Sequence, residues 1–280
     1  MLYTSNRVIL YRNKRKDGNE MEKIILAAHR GDRAHAPENT LPAYKAAIAL
    51  GVDGLEVDLH TSLDGVTFMM HDHSFDRTTN GSGPTHEKRW EEIAALDAGA
   101  WYGSEFAGTR VPSLEETLQL AADTPELWVN WELKDYPEIV GEELAFQTVR
   151  QTIEGIFRYH LEERSMLNSF SSPVLEYAAH LSKGKIQIHG QGVGSTSKMR
   201  GPVTRDITEY WDWACVYPIE KGKYPDEREY AECAALGIKP CICLPDTEEI
   251  MNRQIQLGCL MFTSNDPKEA IRILKKLGKR

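Results

Sequence analysis

The chain has 280 residues, 41% hydrophobic and 27% charged, and its 42 acidic against 33 basic side chains give a formal net charge of -9. That balance belongs to a globular protein, excludes wholesale disorder and repels a phosphate polymer, so no nucleic acid is expected as a partner. No apolar run approaches the ~18 residues of a membrane-spanning helix, so stable membrane insertion is not expected either.

In chain order, residues 1–20 hold a short apolar stretch (Val8–Tyr11) and a basic cluster (Arg12–Lys16), without the apolar region and cleavage site of a signal peptide. They read as a flexible N-terminal extension, with the folded domain over 21–280. Ile24–Ala28 is the first strand, and Pro42–Leu50 reads as a helix stopped by Gly51. Gly54–Leu59 is the second strand, followed by the hairpin signal Asp64-Gly65. The stretch from Arg77 to Pro112 is rich in Gly, Thr and aromatic residues and reads as an insertion, too long for an ordinary connection. Six further strands are expected at Leu127–Leu133, Met166–Phe170, Lys185–His189, Trp213–Ile219, Lys239–Leu244 and Cys259–Thr263. Helices at Glu115–Ala122, Glu142–Tyr159, Val174–Leu181, Asp226–Leu236, Thr247–Leu257 and Pro267–Leu277 separate or follow most of them. Eight strands alternating with helices specify a TIM (β/α)8 barrel, here with a small insertion after a β-hairpin following the second strand. A doubly wound open sheet is the runner-up, weakened because no G-x-G-x-x-G follows the first strand.

Glu56 and Asp58 share one face of the second strand. Two acids on an apolar strand repel each other and are costly to bury. A divalent cation compensates, and oxygen ligands favour magnesium or calcium over zinc. If Asp64-Gly65 forms a two-residue turn, Asp58 faces His71 across the hairpin. The first strand ends in His29-Arg30-Gly31, and the carboxyl ends of barrel strands line active sites. A histidine there suits acid–base work, and an arginine offers a fixed fork for phosphate. Glu132 and Lys134 share a face at the end of a later strand, adding a third carboxylate and a second cation. Any one of these residues alone is more often structural. Together, at strand ends, they point to metal-assisted chemistry on an anionic substrate.

The runs His29-Arg30-Gly31, Ala36-Pro37-Glu38-Asn39-Thr40, Glu56-Val57-Asp58 and His71-Asp72 resemble the signature of the glycerophosphodiester phosphodiesterases. Further matches follow in order: Arg77-Thr78-Thr79-Asn80-Gly81, Leu96-Asp97-Ala98-Gly99-Ala100-Trp101, Val111-Pro112-Ser113-Leu114-Glu115-Glu116 and Asn168-Ser169-Phe170. The resemblance covers most of Met21–Arg280. It implies a TIM barrel that hydrolyses glycerophosphodiesters to glycerol 3-phosphate and an alcohol, with one divalent ion, magnesium or calcium. It further implies Glu56, Asp58 and Glu132 as metal ligands and His29 and His71 as the acid–base pair. Arg30 and Lys134 would bind phosphate, and Glu38 and Asn39 would sit in the first strand–helix loop, Asn39 orienting site groups. The partner is then a small-molecule glycerophosphodiester, and a homo-oligomer is compatible with the sequence.

Cys241-Ile242-Cys243-Leu244-Pro245-Asp246 departs from the family's usual Trp-Thr-Val-Asn-like run, and Thr263-Ser264-Asn265-Asp266-Pro267 from its Thr-Asp-x-Pro. Both bear on the substrate's identity and not on the metal–histidine core. His73, His86, His160, His180 and His189 match no catalytic position of the family and read as structural or exposed. Trp101 and Tyr102 either roof the pocket or belong to a small core of the insertion, the latter preferred. The five cysteines lack C-x-x-C spacing and read as buried, reduced thiols of a cytoplasmic protein. Two other readings stand beside the main one: a metal-dependent sugar isomerase or epimerase on the same barrel, and a non-catalytic glycerophosphodiester-binding protein. The phosphate-directed Arg30 and Lys134 argue against the first, and the complete set of histidines and carboxylates against the second.

Overall fold

The computed structural model describes residues 23–280, so the expected extension over 1–20 lies outside the described residues. β1 (Ile25–His29) leads to α1 (Leu41–Leu50), which begins where the Thr40 hydroxyl accepts the Ala43 amide and ends at Gly51, whose φ of 81° suits a residue without a side chain. β2 (Gly54–Thr61) turns antiparallel into β3 (Thr67–Met69). α2 (Trp90–Ala94) and α3 (Leu114–Ala122) follow, α3 opened by a reciprocal Ser113–Glu116 cap. The chain continues through β4 (Trp128–Leu133), α4 (Pro137–Val140), α5 (Glu142–Arg158), β5 (Ser165–Asn168), α6 (Ser172–Ser182) and β6 (Gln187–Gln191). It closes with β7 (Trp213–Cys215), α7 (Glu227–Leu236), β8 (Lys239–Cys243), α8 (Glu248–Gln256), β9 (Met261–Ser264) and α9 (Pro267–Lys276). Only short 3-10 turns interrupt the connection from β6 to β7.

β1 pairs in parallel with both β2 and β9, and β2, β4, β5, β6, β7, β8 and β9 are each parallel to the next, closing an eight-stranded barrel. β3 is hydrogen-bonded to β2 at the end of this order, outside the ring. Strands buried on both faces explain the unbroken apolar runs of the sequence. Leu26, Leu55, Val57, Trp131, Leu167 and Phe262 point outward into the layer shared with the helices. Residues of the other parity, including Ile25, Ala27, Trp128, Met166, Trp213, Cys215, Cys241 and Met261, fill the barrel. Continued to the carboxyl ends, that inward parity meets His29, Glu56, Asp58, Glu132 and Asn168. No helix among the described residues is long and apolar enough to cross a membrane.

The hairpin departs from the expected register. Its pairs are Leu59↔Met69, His60↔Phe68 and Thr61↔Thr67. The Ser62 amide donates to the Val66 carbonyl at 2.9 Å, and the Gly65 amide to the Ser62 carbonyl at 2.9 Å. The loop is therefore the three residues Leu63-Asp64-Gly65, with Gly65 at φ 86°, and not a two-residue turn. The Asp64 carboxylate accepts the Ser62 hydroxyl at 2.7 Å and the Trp90 amide at 2.8 Å, which ties this loop to the following segment. With the register shifted by one, the Met70 amide donates to the Asp58 carbonyl at 3.0 Å, and His71 does not face Asp58. A straight continuation would carry His71 to the opposite face. β3 ends at Met69 instead, and a bend over residues 71–73 returns His71 to the barrel mouth, within electrostatic reach of Asp58 and Lys134.

Phe68, Met70, Phe75, Ile93, Ala98 and Val111 pack as a hydrophobic cluster of their own, with Trp90 and Leu96 against it. Trp101 is absent from that cluster. It is 40% exposed and meets Tyr102 edge-on, so the preferred placing of Trp101 in a small core is overturned.

Candidate active site

The strand register brings the carboxylates and one histidine together. His29 on β1 lies beside Glu56 on β2, Asp58 on β2 beside Glu132 on β4, and Glu132 beside Asn168 on β5. One oxygen from each of Glu56, Asp58 and Glu132 lies within 4.8 Å of the others, and all three residues are buried. Glu56 Oε1 and Asp58 Oδ1 are buried without any hydrogen-bond partner. Such orphans are costly unless something else occupies their lone pairs. Three convergent hard-oxygen donors fit a divalent cation.

Each carboxylate is steered from its free side. Asn39 Nδ2 donates to Asp58 Oδ2 at 2.8 Å, and Asn39 Oδ1 accepts the Asp58 amide at 3.2 Å and the Tyr44 hydroxyl at 3.0 Å. Lys134 Nζ is 2.7 Å from Glu132 Oε1 and 3.5 Å from Asp58 Oδ1, while Asn168 Nδ2 donates to Glu132 Oε2 at 3.1 Å. Gln191 in turn donates to Asn168 Oδ1 at 2.6 Å, and the Tyr217 hydroxyl to Gln191 Oε1 at 2.6 Å, so a chain of donors runs from just past β7 to Glu132. Burial, then the charges of Asp58 and Glu132, push the Glu56 carboxyl well above its usual range. Burial presses the same way on Asp58, but Lys134, His71, Arg30 and the Asn39 hydrogen bond outweigh it and hold that carboxyl well below. Burial also opposes charge on Lys134, and the Glu132 and Asp58 carboxylates reverse the effect, leaving its pKa raised.

The two histidines differ in their supports. His29 Nδ1 donates to Asn265 Oδ1 at 2.6 Å, and its Nε2 lies 3.8 Å from Glu56 Oε2. Burial first, and Arg30 second, bring its pKa down to about 4. His71 Nδ1 lies 2.6 Å from Asp72 Oδ1. Burial lowers its pKa too, against the pull of Asp58 and Asp72.

Glu38, buried in the first strand–helix loop, gathers three guanidiniums. Arg30 reaches Oε1 at 2.8 Å, Arg33 reaches Oε2 at 2.9 Å, and Arg77 reaches Oε1 at 2.7 Å. Arg77 also clamps Asp72 through Nε–Oδ2 at 2.7 Å, so the support of His71 is joined to the support of Arg30. Arg30 Nε lies 3.4 Å from Asp58 Oδ2. Arg30 and Asn39 adopt φ of 60° and 53°, left-handed values unusual outside glycine, and the Arg30 amide donates to Glu56 Oε2 at 3.1 Å. Every residue named from the sequence, His29, Arg30, Glu38, Asn39, Glu56, Asp58, His71, Glu132 and Lys134, thus joins one network. Arg33, Arg77, Asn168 and Asn265 join it without having been singled out. The signals for them were present: Asn168 and Asn265 lie inside strand-end motifs, Arg77 opens the motif of the insertion, and Arg33 follows Arg30 closely. All five cysteines are free and four are buried, with the Cys215 and Cys243 sulfurs 3.5 Å apart.

A model of the glycerophosphoryl diester phosphodiesterase family matches residues 29–278. A glycerophosphodiester phosphodiesterase of Caldanaerobacter subterraneus is 34% identical over 268 residues, spanning 91% of this chain and 100% of that protein. Among solved structures, a phosphodiesterase of Oleispira antarctica, determined in complex with the product sn-glycerol-3-phosphate, has a TM-score of 0.77 at 22% identity, covering 90% of this chain and 97% of that one. The glycerophosphodiester phosphodiesterase of Agrobacterium tumefaciens has a TM-score of 0.70 at 21% identity, covering 88% of this chain and 97% of that one. At such identities the solved structures speak for the barrel alone. The family match and the full-length relative speak for descent: this chain belongs to the glycerophosphoryl diester phosphodiesterase family and is a phosphoric diester hydrolase.

Proposed function

We propose that the protein hydrolyses glycerophosphodiesters to glycerol 3-phosphate and an alcohol, using one magnesium or calcium ion held by Glu56, Asp58 and Glu132. The observation that carries this reading is the convergence of three buried carboxylates, two with an oxygen lacking any hydrogen-bond partner, between two histidines and beside Arg30 and Lys134. When bound, the ion supplies neutralisation of charge on the diester oxygens. Arg30 and Lys134 bind the phosphate. Glu38 holds the forks of Arg30, Arg33 and Arg77 in place before substrate arrives, so little ordering remains to be done on binding.

His29 is the base. Its Nδ1–H is committed to Asn265, its Nε2 carries the free lone pair, and a pKa near 4 keeps it unprotonated at neutral pH. It takes the proton from the attacking oxygen, either water, or the substrate's own glycerol 2-hydroxyl, in which case a cyclic phosphate forms that one water then opens to glycerol 3-phosphate. His71 is assigned as the acid: the Asp72 carboxylate at its Nδ1 favours the protonated ring and opposes the burial that lowers its pKa, whereas Asn265 offers His29 no charge. It delivers a proton to the departing alcohol oxygen. Five free thiols support a reducing, cytoplasmic setting. Membership of a hydrolase family leaves the isomerase and the non-catalytic binder without support.

The test is release of glycerol 3-phosphate from glycerophosphocholine and glycerophosphoethanolamine, with magnesium or calcium and with chelator. Metal-dependent release is expected, with kcat reduced about 10²-fold or more in His29→Ala. No release from folded protein with either ion overturns the substrate assignment. Retention of most activity in His71→Ala overturns the acid assignment.

A further inference from the structure

The face of β2 that carries Glu56 and Asp58 continues one step further to His60, which belongs to a different group of side chains. His60 and Asp135 are both buried, with His60 Nδ1 2.6 Å from Asp135 Oδ1. The other Asp135 oxygen accepts the Thr61 amide at 2.7 Å and the Thr148 hydroxyl at 2.7 Å. A carboxylate so placed takes the Nδ1–H of the imidazole and leaves Nε2 as a bare acceptor. Yet the neighbour of Nε2 is another acceptor, the His71 carbonyl oxygen at 3.5 Å.

His73 stands opposite, its ring centroid 4.8 Å from that of His60, and Tyr136 packs edge-on behind it at 5.3 Å. His73 Nδ1 is buried and has no hydrogen-bond partner. One ligand atom from each of His60, His73 and Asp135 lies within 4.8 Å of the other two. Two imidazoles packed edge to face, with ligand atoms this close, can share one electron-pair acceptor. A carboxylate gripping the far nitrogen is the usual support of a metal-bound histidine.

We propose that His60, His73 and Asp135 form a second metal site, for a late first-row divalent ion of the zinc class. The imidazoles supply the nitrogen donors, and Asp135, whose Oδ1 holds His60 Nδ1, orients the His60 ring toward the ion. Nitrogen donors select this ion over magnesium or calcium, which the all-oxygen site takes. His60 lies two residues beyond Asp58, about 7 Å along the strand. His73 lies two residues beyond His71. An ion here pins the bend that carries His71 onto the strand that carries Asp58.

The experiment uses the full chain, stripped with chelator and refilled with excess magnesium to occupy the carboxylate site. Cobalt(II) is then titrated as a spectroscopic probe, with zinc as competitor. One equivalent of zinc is expected to survive desalting, and cobalt to give a visible d–d spectrum that lacks a thiolate band and that zinc abolishes. His73→Ala and Asp135→Asn each bind about tenfold or more weakly, while Glu132→Gln keeps the cobalt spectrum. Failure of the wild-type chain to retain zinc or cobalt over magnesium overturns the proposal. So does undiminished binding by His73→Ala, or a thiolate band, which would place the ion at Cys215 and Cys243. The wild-type titration stands whether or not a variant folds, and the readout is independent of diester hydrolysis.

Discussion

Asn39 holds three partners at once: the carboxylate and the amide of Asp58, and the hydroxyl of Tyr44, which is itself fully buried. Asn39→Ala strands that hydroxyl and frees the Asp58 side chain to turn. Apparent affinity for magnesium or calcium is expected to fall about 10- to 100-fold, read from the metal dependence of turnover. Unchanged affinity would show that Asp58 is held without it. The residues legible in the sequence share one property. His29, Glu56, Asp58, Glu132 and Lys134 lie on strands or just past them, where alternation places each side chain. Arg77, Asn168 and Asn265 reach side chains 39, 36 and 236 positions away, and no local period encodes such a partner.

The turn from β1 into α1 is a tight junction of the site. Gly31 has φ 83°, and a Cβ there would lie 2.7 Å from the carbonyl carbon of Ala43 in α1. Arg30 precedes it, and the Asp32 amide donates to the Ala43 carbonyl at 3.0 Å, so this glycine lets the loop press onto the helix. Gly31→Ala is expected to cost about 1–3 kcal/mol, measured as a lower urea midpoint, because both the backbone conformation and the contact must give. An unchanged midpoint would mean that α1 moves aside freely. The barrel strands were readable to within a few residues, since burial on both faces writes a continuous apolar run. The seventh barrel strand shows the limit: expected over Trp213–Ile219, it is Trp213–Cys215, and the Tyr217 hydroxyl turns to Gln191 instead. The hairpin register escaped for a comparable reason. A side chain of its own loop, Asp64, is captured by Trp90 from outside the hairpin, and a dipeptide rule contains no such partner.

Across the whole molecule, stability and acidity are linked through His189 inside the barrel. Its Nε2 is 3.1 Å from Cys241 Sγ and its Nδ1 3.3 Å from Asn130 Nδ2, and burial holds its pKa down to about 3. The unfolded chain binds a proton at this residue near pH 6.5, the folded chain only near pH 3. The unfolded state therefore binds more protons between these values, and stability falls as pH drops through that window and is intact above it. At about pH 5 the loss attributable to His189 is about 2 kcal/mol. Urea unfolding of wild type and His189→Gln at neutral and acidic pH checks it, the wild type losing more; equal losses would mean that His189 is not held neutral. The formal charge of -9 opposes an anionic substrate at long range, and Arg30, Arg33, Arg77 and Lys134 at one mouth supply local cations that offset the carboxylates gathered there. Finally, the two histidines depend on different packing. His29 is carried by a barrel strand, and His71 by a bend that follows β3, whose Phe68 and Met70 belong to the separate cluster with Phe75, Ile93, Ala98 and Val111. Damage confined to that lesser cluster would silence the protein while its cylinder still stood, so a variant that looks native by its helices can be chemically dead for reasons of folding.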